Sequence, residues 1–148
     1  MTIDEAFEIL HSLPPEWGAT ESEVCDVEAK LGFRLPTTLR ELMLCTGRKE
    51  HILWLFPDRE IGSLDELVEL QEIAAEILAG DLPDLRPQFP FVTLSQHQGY
   101  YFSFVRADDH NTEPLLLGYN ERRGFDTAKG TPLRKVIAQA VMYAVTRT

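Results

Sequence analysis

FVTLSQHQGYYFSFVRADDHNTEPLLLGY, residues 91–119, is the stretch whose reading decides the fold of this chain. It contains three strand-like runs, Phe91-Val92-Thr93-Leu94, Tyr100 to Val105 and Leu115 to Tyr119, built largely from the β-branched and aromatic residues that suit a pleated surface. The intervening Gln96 to Gly99 and Asp108 to Thr112 suit hairpin connections. In the second run Tyr101, Ser103 and Val105 alternate with Tyr100, Phe102 and Phe104, so both faces are substantially apolar. A strand of that kind is expected in the middle of a sheet, covered on both sides.

Upstream the period becomes helical. Asp4 to Leu13 places Ile3, Phe7 and Leu10 at helical spacing and is stopped by Pro14-Pro15. Thr20-Glu21-Ser22-Glu23 has the form of a capping box, followed by Val24, Val27 and Leu31 on one face and Gly32 as the stop. Pro36-Thr37 opens a third helix with Leu39, Leu42 and Met43 on its apolar face and Gly47 at its end. Ile52 to Phe56, short and bounded by Pro57, reads as a strand. Ser63-Leu64-Asp65-Glu66 repeats the capping-box form and starts a helix that buries Leu67, Leu70, Ala74 and Ile77 and ends at Gly80.

Downstream, Thr131-Pro132 reads as an N-cap followed by proline at the first helical position. The closing helix runs to about Thr146 and buries Leu133, Val136, Ile137, Ala140 and Val141. Helices, then an antiparallel meander, then a closing helix make this an α+β chain. It is expected to form one domain over residues 1–148, with no internal repeat or long linker.

A chain of 148 residues, 44% hydrophobic and 26% charged, can bury a core without disulfides or metals. Its apolar runs are too short to span a bilayer. Met-Thr-Ile-Asp-Glu at the start lacks the basic and apolar regions of a secretory signal. Cys25 and Cys45 lack CxxC spacing, so a reducing, cytoplasmic location is expected. Residues 1–85 hold 19 acids and 6 bases, whereas residues 86–148 hold 5 acids and 8 bases. The overall charge of −10 argues against nucleic acid as a partner and permits attraction to a basic protein.

The motifs of catalysis are missing from the sequence. Gly47-Arg48-Lys49 lacks the upstream glycine and the hydroxyl residue of a phosphate loop, and neither GxGxxG nor GxSxG occurs. His11, His51, His97 and His110 have no HxxxH or HExxH spacing. With two cysteines apart on helices, neither metal nor cofactor is expected. Ser95 and His97 point to one side of a strand end, but no third group is identified to orient the histidine, and a polar turn accounts for them. Asp108-Asp109-His110-Asn111 suits a hairpin loop, and Arg122-Arg123 a solvated basic pair. Asp65, Glu69, Glu72 and Glu76 form the best candidate site. They lie at steps of four, three and four on one helix face, with no Lys or Arg between Arg59 and Arg86. A solvated face and a partner-binding face both fit that pattern.

The stretch Glu28-Ala29-Lys30-Leu31-Gly32-Phe33-Arg34-Leu35-Pro36, with Leu39-Arg40-Glu41-Leu42-Met43 and Gly47 after it, resembles the opening of the SMI1/KNR4 family of the SUKH superfamily. Ile61 to Leu70 is similar to the family's lead into an acidic helix, and Phe91 to Phe104 and Pro114 to Tyr119 to its core strands. Where the family often has Asn-Gly after the third helix, this chain has Cys45-Thr46-Gly47. Gln96-His97-Gln98-Gly99 is neutral where the family often has acids. The resemblance implies a curved antiparallel sheet packed with helices and no enzymatic activity. For bacterial members it implies an immunity protein that neutralises a secreted toxin domain. The alternative is an intracellular regulatory or scaffold module. Asp65, Glu69, Glu72 and Glu76 are then expected to steer a basic toxin domain, with Trp54, Tyr100 and Tyr101 as candidate anchors.

Overall fold

The computed structural model describes residues 1–81, 89–97, 101–107, 113–120 and 124–147, with the backbone alone at 81, 97, 101 and 126–129. The helices are α1 (Ile3–Ser12), α2 (Glu21–Leu31), α3 (Thr37–Thr46), α4 (Lys49–Leu55), α5 (Leu64–Asp81) and α6 (Leu133–Arg147). Between α5 and α6 run β1 (Phe91–His97), β2 (Tyr101–Arg106), β3 (Leu115–Asn120) and β4 (Gly124–Pro132). They form one antiparallel meander in the order β1-β2-β3-β4. The chain is α+β. Among the described residues no helix is long and apolar enough to cross a membrane.

The first capping box forms as its residues dictate. Thr20 Oγ1 accepts from the Glu23 N–H at 3.1 Å, and Glu23 Oε1 accepts from the Thr20 N–H at 3.0 Å. Gly32 ends α2 in the left-handed region, φ 86°, where a side chain is disfavoured. The turn into α3 is held by a buried carboxylate: Glu28 Oε2 accepts from the Leu35 N–H at 2.7 Å, and Arg40 Nε lies 3.4 Å from Glu28 Oε1. Arg40 also pairs with Glu21, whose carboxyl is held below its ordinary value of 4.5 first by that hydrogen bond. The Thr20 backbone N–H does the same for Glu23. A lowered folded-state value stabilises the fold above 4.5 and loses that contribution as pH falls through the folded value. Between about pH 6 and pH 3, melting temperatures should fall on acidification. Glu21→Gln with Glu23→Gln should flatten part of the fall.

Two expectations are overturned. Ile52 to Phe56 is not a strand but the greater part of α4. Lys49-Glu50-His51 supply its first turn, and Ile52, Leu55 and Phe56, spaced three and four apart, are all buried. The apolar run was helical in period, and five residues were too few to display it. Thr131-Pro132 is not a helix start either. Both residues end β4, a strand whose GFDTAKGTP sequence carries little strand propensity, with Pro132 opposite Leu115. Proline is tolerated there because β4 is an edge strand. Gly47 does end α3, but at φ −72°. Its role is space, since a Cβ would lie 2.5 Å from the Met43 carbonyl oxygen.

As expected, β2 is central and covered on both faces. Phe102 and Phe104 pack with Leu117, Tyr119, Ala74 and Leu78 in a smaller core. Val105, with Val92 and Leu94, joins the main core formed with helices α1–α6. Helix α5 links the two, placing Leu64 and Leu67 in the main core and Ala74 and Leu78 in the smaller one. It passes the outer edge of β1, and Gln71 closes that edge. The side-chain amide of Gln71 accepts from the Thr93 N–H at 2.8 Å and donates to the Thr93 carbonyl at 3.0 Å. Beside it the Gly62 N–H donates to the Leu94 carbonyl at 2.8 Å. An edge strand with satisfied backbone groups cannot recruit a foreign strand there. Gln71→Leu should cost about 2 kcal/mol, because both Thr93 groups lose their partner. Denaturant unfolding measures it, and a loss of less than about 0.5 kcal/mol would contradict the clamp.

Candidate partner-binding face

Helix α5 is positioned at its start by Ser63, which is fully buried. The Ser63 N–H and hydroxyl donate to Glu66 Oε1 at 3.2 and 2.8 Å. Glu66 is thereby folded back onto the cap. Burial of Leu64, Leu67, Ala74 and Leu78, with Gln71 turned to β1, fixes the rotation of the helix. Asp65, Glu69, Glu72 and Glu76 are left on the solvent side, and all four are exposed. They span about 16 Å of helix.

Several other acids of the helical half are paired instead. Glu21 and Glu28 pair with Arg40, Glu23 with Arg48 at 2.9 Å, and Glu41 with Arg134 at 3.8 Å. Among the described residues Asp65, Glu69, Glu72 and Glu76 have no ion-pair partner. The face is therefore an uncompensated block of negative charge on a rigid element. Chemically it offers long-range attraction to a cationic surface, and its field weakens with salt.

The aromatic candidates fall elsewhere. Trp54 sits half-buried on α4, edge-on to Trp17 at 5.4 Å, and Trp17 in turn stacks on His51 at 4.4 Å. Its ring packs on Trp17 and against the main core. Tyr101 opens β2 opposite His97 and Asn120, and its side chain lies outside the described residues, as does Tyr100. Ser95 is 3% exposed within β1, opposite Ser103, which is a poor position for a nucleophile that must meet a substrate. Asp108 to Thr112 and Arg122-Arg123 lie outside the described residues. Among the described residues no group of three or more His, Cys, Asp or Glu is placed to hold a metal ion.

A feature without a sequence signal is a groove of about 580 Å3 lined by Phe56, Asp58, Glu60, Ser103 and Tyr143. Tyr143 is 59% exposed, and Arg59, between the two acids, has φ 58°. The groove is assembled from the α4–α5 connection, the sheet and α6. Of the residues named, only Phe56, Asp58 and Glu60 are near one another in the sequence.

No curated protein and no solved structure matches the chain. The model of the SMI1 / KNR4 family (SUKH-1) matches residues 18–128, a span that runs from the loop before α2 into β4 and holds the Glu28–Arg40 turn, the acidic face and most of the sheet. This chain belongs to the SMI1/KNR4 family (SUKH-1).

Proposed function

We propose that this chain is a bacterial immunity protein that binds and neutralises a cognate, basic toxin domain. The observation that carries the reading is the exposed acidic face of α5, whose four carboxylates have no ion-pair partner among the described residues. Four exposed carboxylates on one rigid helix repel one another, and a cationic partner relieves that repulsion on binding. Membership of the SMI1/KNR4 family supports a protein partner over a small-molecule substrate. Charge would supply orientation and a fast encounter, while affinity would come from a few desolvated anchors near the face.

The test is a pull-down of the product encoded beside the gene, using the full chain as bait. A neighbouring toxin that is captured, and that loses its toxicity in the complex, bears out the proposal. A neighbour that is not bound, or that stays toxic when bound, favours a regulatory or scaffold role.

A further inference from the structure

Between α1, the Pro14-Pro15 turn and α3 lies a groove of about 510 Å3 walled by Leu10, Leu13, Pro15 and Leu44. His11, Glu41 and Cys45 meet in it. Glu41 and Cys45, four residues apart, share one face of α3, and His11 faces them from α1. Cys45 Sγ lies 3.5 Å from His11 Nδ1, and His11 Nε2 lies 3.3 Å from Glu41 Oε1. A carboxylate accepts hydrogen bonds, so the Glu41 contact favours the tautomer that carries its hydrogen on Nε2, in which Nδ1 offers a lone pair to the thiol. A nucleophile, a base and an orienting carboxylate stand in series.

The surroundings select among thiol chemistries. Cys45 is in the last turn of α3, where a helix presents carbonyls and not N–H groups. The Met43 carbonyl there already receives the N–H groups of Ala19 and Gly47. Acyl transfer wants N–H donors aimed at an oxyanion, and a helix C-terminus offers the opposite polarity. Exchange at a disulfide keeps the developing charge on sulfur and needs no such donors.

We propose that Cys45 is a thiol–disulfide exchange site for small disulfides, with His11 as its base and Glu41 as the positioning residue. The thiol proton passes to His11 Nδ1 as Cys45 Sγ bonds to one sulfur of the disulfide. The disulfide S–S bond breaks, and the departing sulfur takes the proton from His11. Cys45 is oxidised to a mixed disulfide, and the other half of the ligand leaves reduced, as a thiol. Burial, and then the Glu41 charge, push the thiol up to about 11, so it rests protonated and depends on the base. The other charged groups at the site are Arg40, occupied by Glu21 and Glu28, and Arg134 from α6, 3.8 Å from Glu41 and 4.0 Å from Asp4. The site is independent of the acidic face, and His11 lies outside the residues that the family model matches.

The experiment uses the full chain with Cys25→Ser, which leaves Cys45 as its thiol, and dipyridyl disulfide as the probe. Release of thiopyridone is followed against pH. A base-assisted thiol should react at a rate that levels off above about pH 7, where imidazoles are neutral. Adding His11→Gln should slow the reaction about 100-fold at that plateau, and adding Glu41→Gln should lower the plateau rate, with Glu41→Asp restoring part of it. A rate that climbs about tenfold per pH unit to pH 9, as an unassisted thiol of high pKa does, would overturn the proposal. So would a rate unchanged by His11→Gln. The parent pH profile decides the matter even if a variant unfolds.

Discussion

Gly18→Ala is expected to destabilise the protein by about 3 kcal/mol or more, a fall in melting temperature of about 10 °C for a chain of this size. Gly18 has ordinary extended backbone, φ −91° and ψ 158°, so its conformation does not require glycine. Space does. An added Cβ would run into the Leu44 backbone carbonyl, 2.6 Å from its carbon. That carbonyl belongs to the last turn of α3 and cannot swing aside as a side chain would. Nor can the loop withdraw without cost: the Ala19 N–H donates to the Met43 carbonyl at 3.0 Å, and the Arg48 N–H donates to the Trp17 carbonyl at 3.3 Å. Either movement breaks a bond that satisfies a helix end. Thermal melting of the variant checks this, and a shift of less than about 3 °C would contradict it.

Reversing the acidic face is expected to have the largest effect on function. With Asp65, Glu69, Glu72 and Glu76 all changed to Lys, association with a basic partner should slow about 100-fold at low salt. The dissociation rate should change far less, because exposed rim charges act on the encounter. The same reversal should leave melting temperature almost unaltered, since all four side chains are exposed and have no ion-pair partner among the described residues. Raising salt should slow the native protein and narrow the difference between the two. An association rate that ignores both the charges and the salt would place the binding surface elsewhere.

Much of this architecture was legible because local signals and tertiary packing agreed. Thr20 and Glu23 announced a helix start and make both capping bonds. The alternation around Phe102 announced a central strand and delivers one core on each face. The errors lie where local signal was weak or packing overrode it. Five apolar residues at 52–56 fit two periods, and burial of Ile52 with Leu55 chose the helical one. β4 is a strand by virtue of pairing with β3, against its own composition. The acidic face was readable because it lies within one helix. The Gln71 clamp, the 580 Å3 groove and the meeting of His11 with Cys45 join residues 22 or more apart in sequence. Nothing in the spacing of such residues announces that the fold brings them together.

The proposed neutralisation of a basic toxin through the face of α5 can be measured in cells expressing the toxin encoded beside the gene. Growth should be restored by the native protein and lost with the variant carrying Lys at positions 65, 69, 72 and 76, although both fold and melt alike. Equal protection by the two proteins, or protection by neither, would contradict the account.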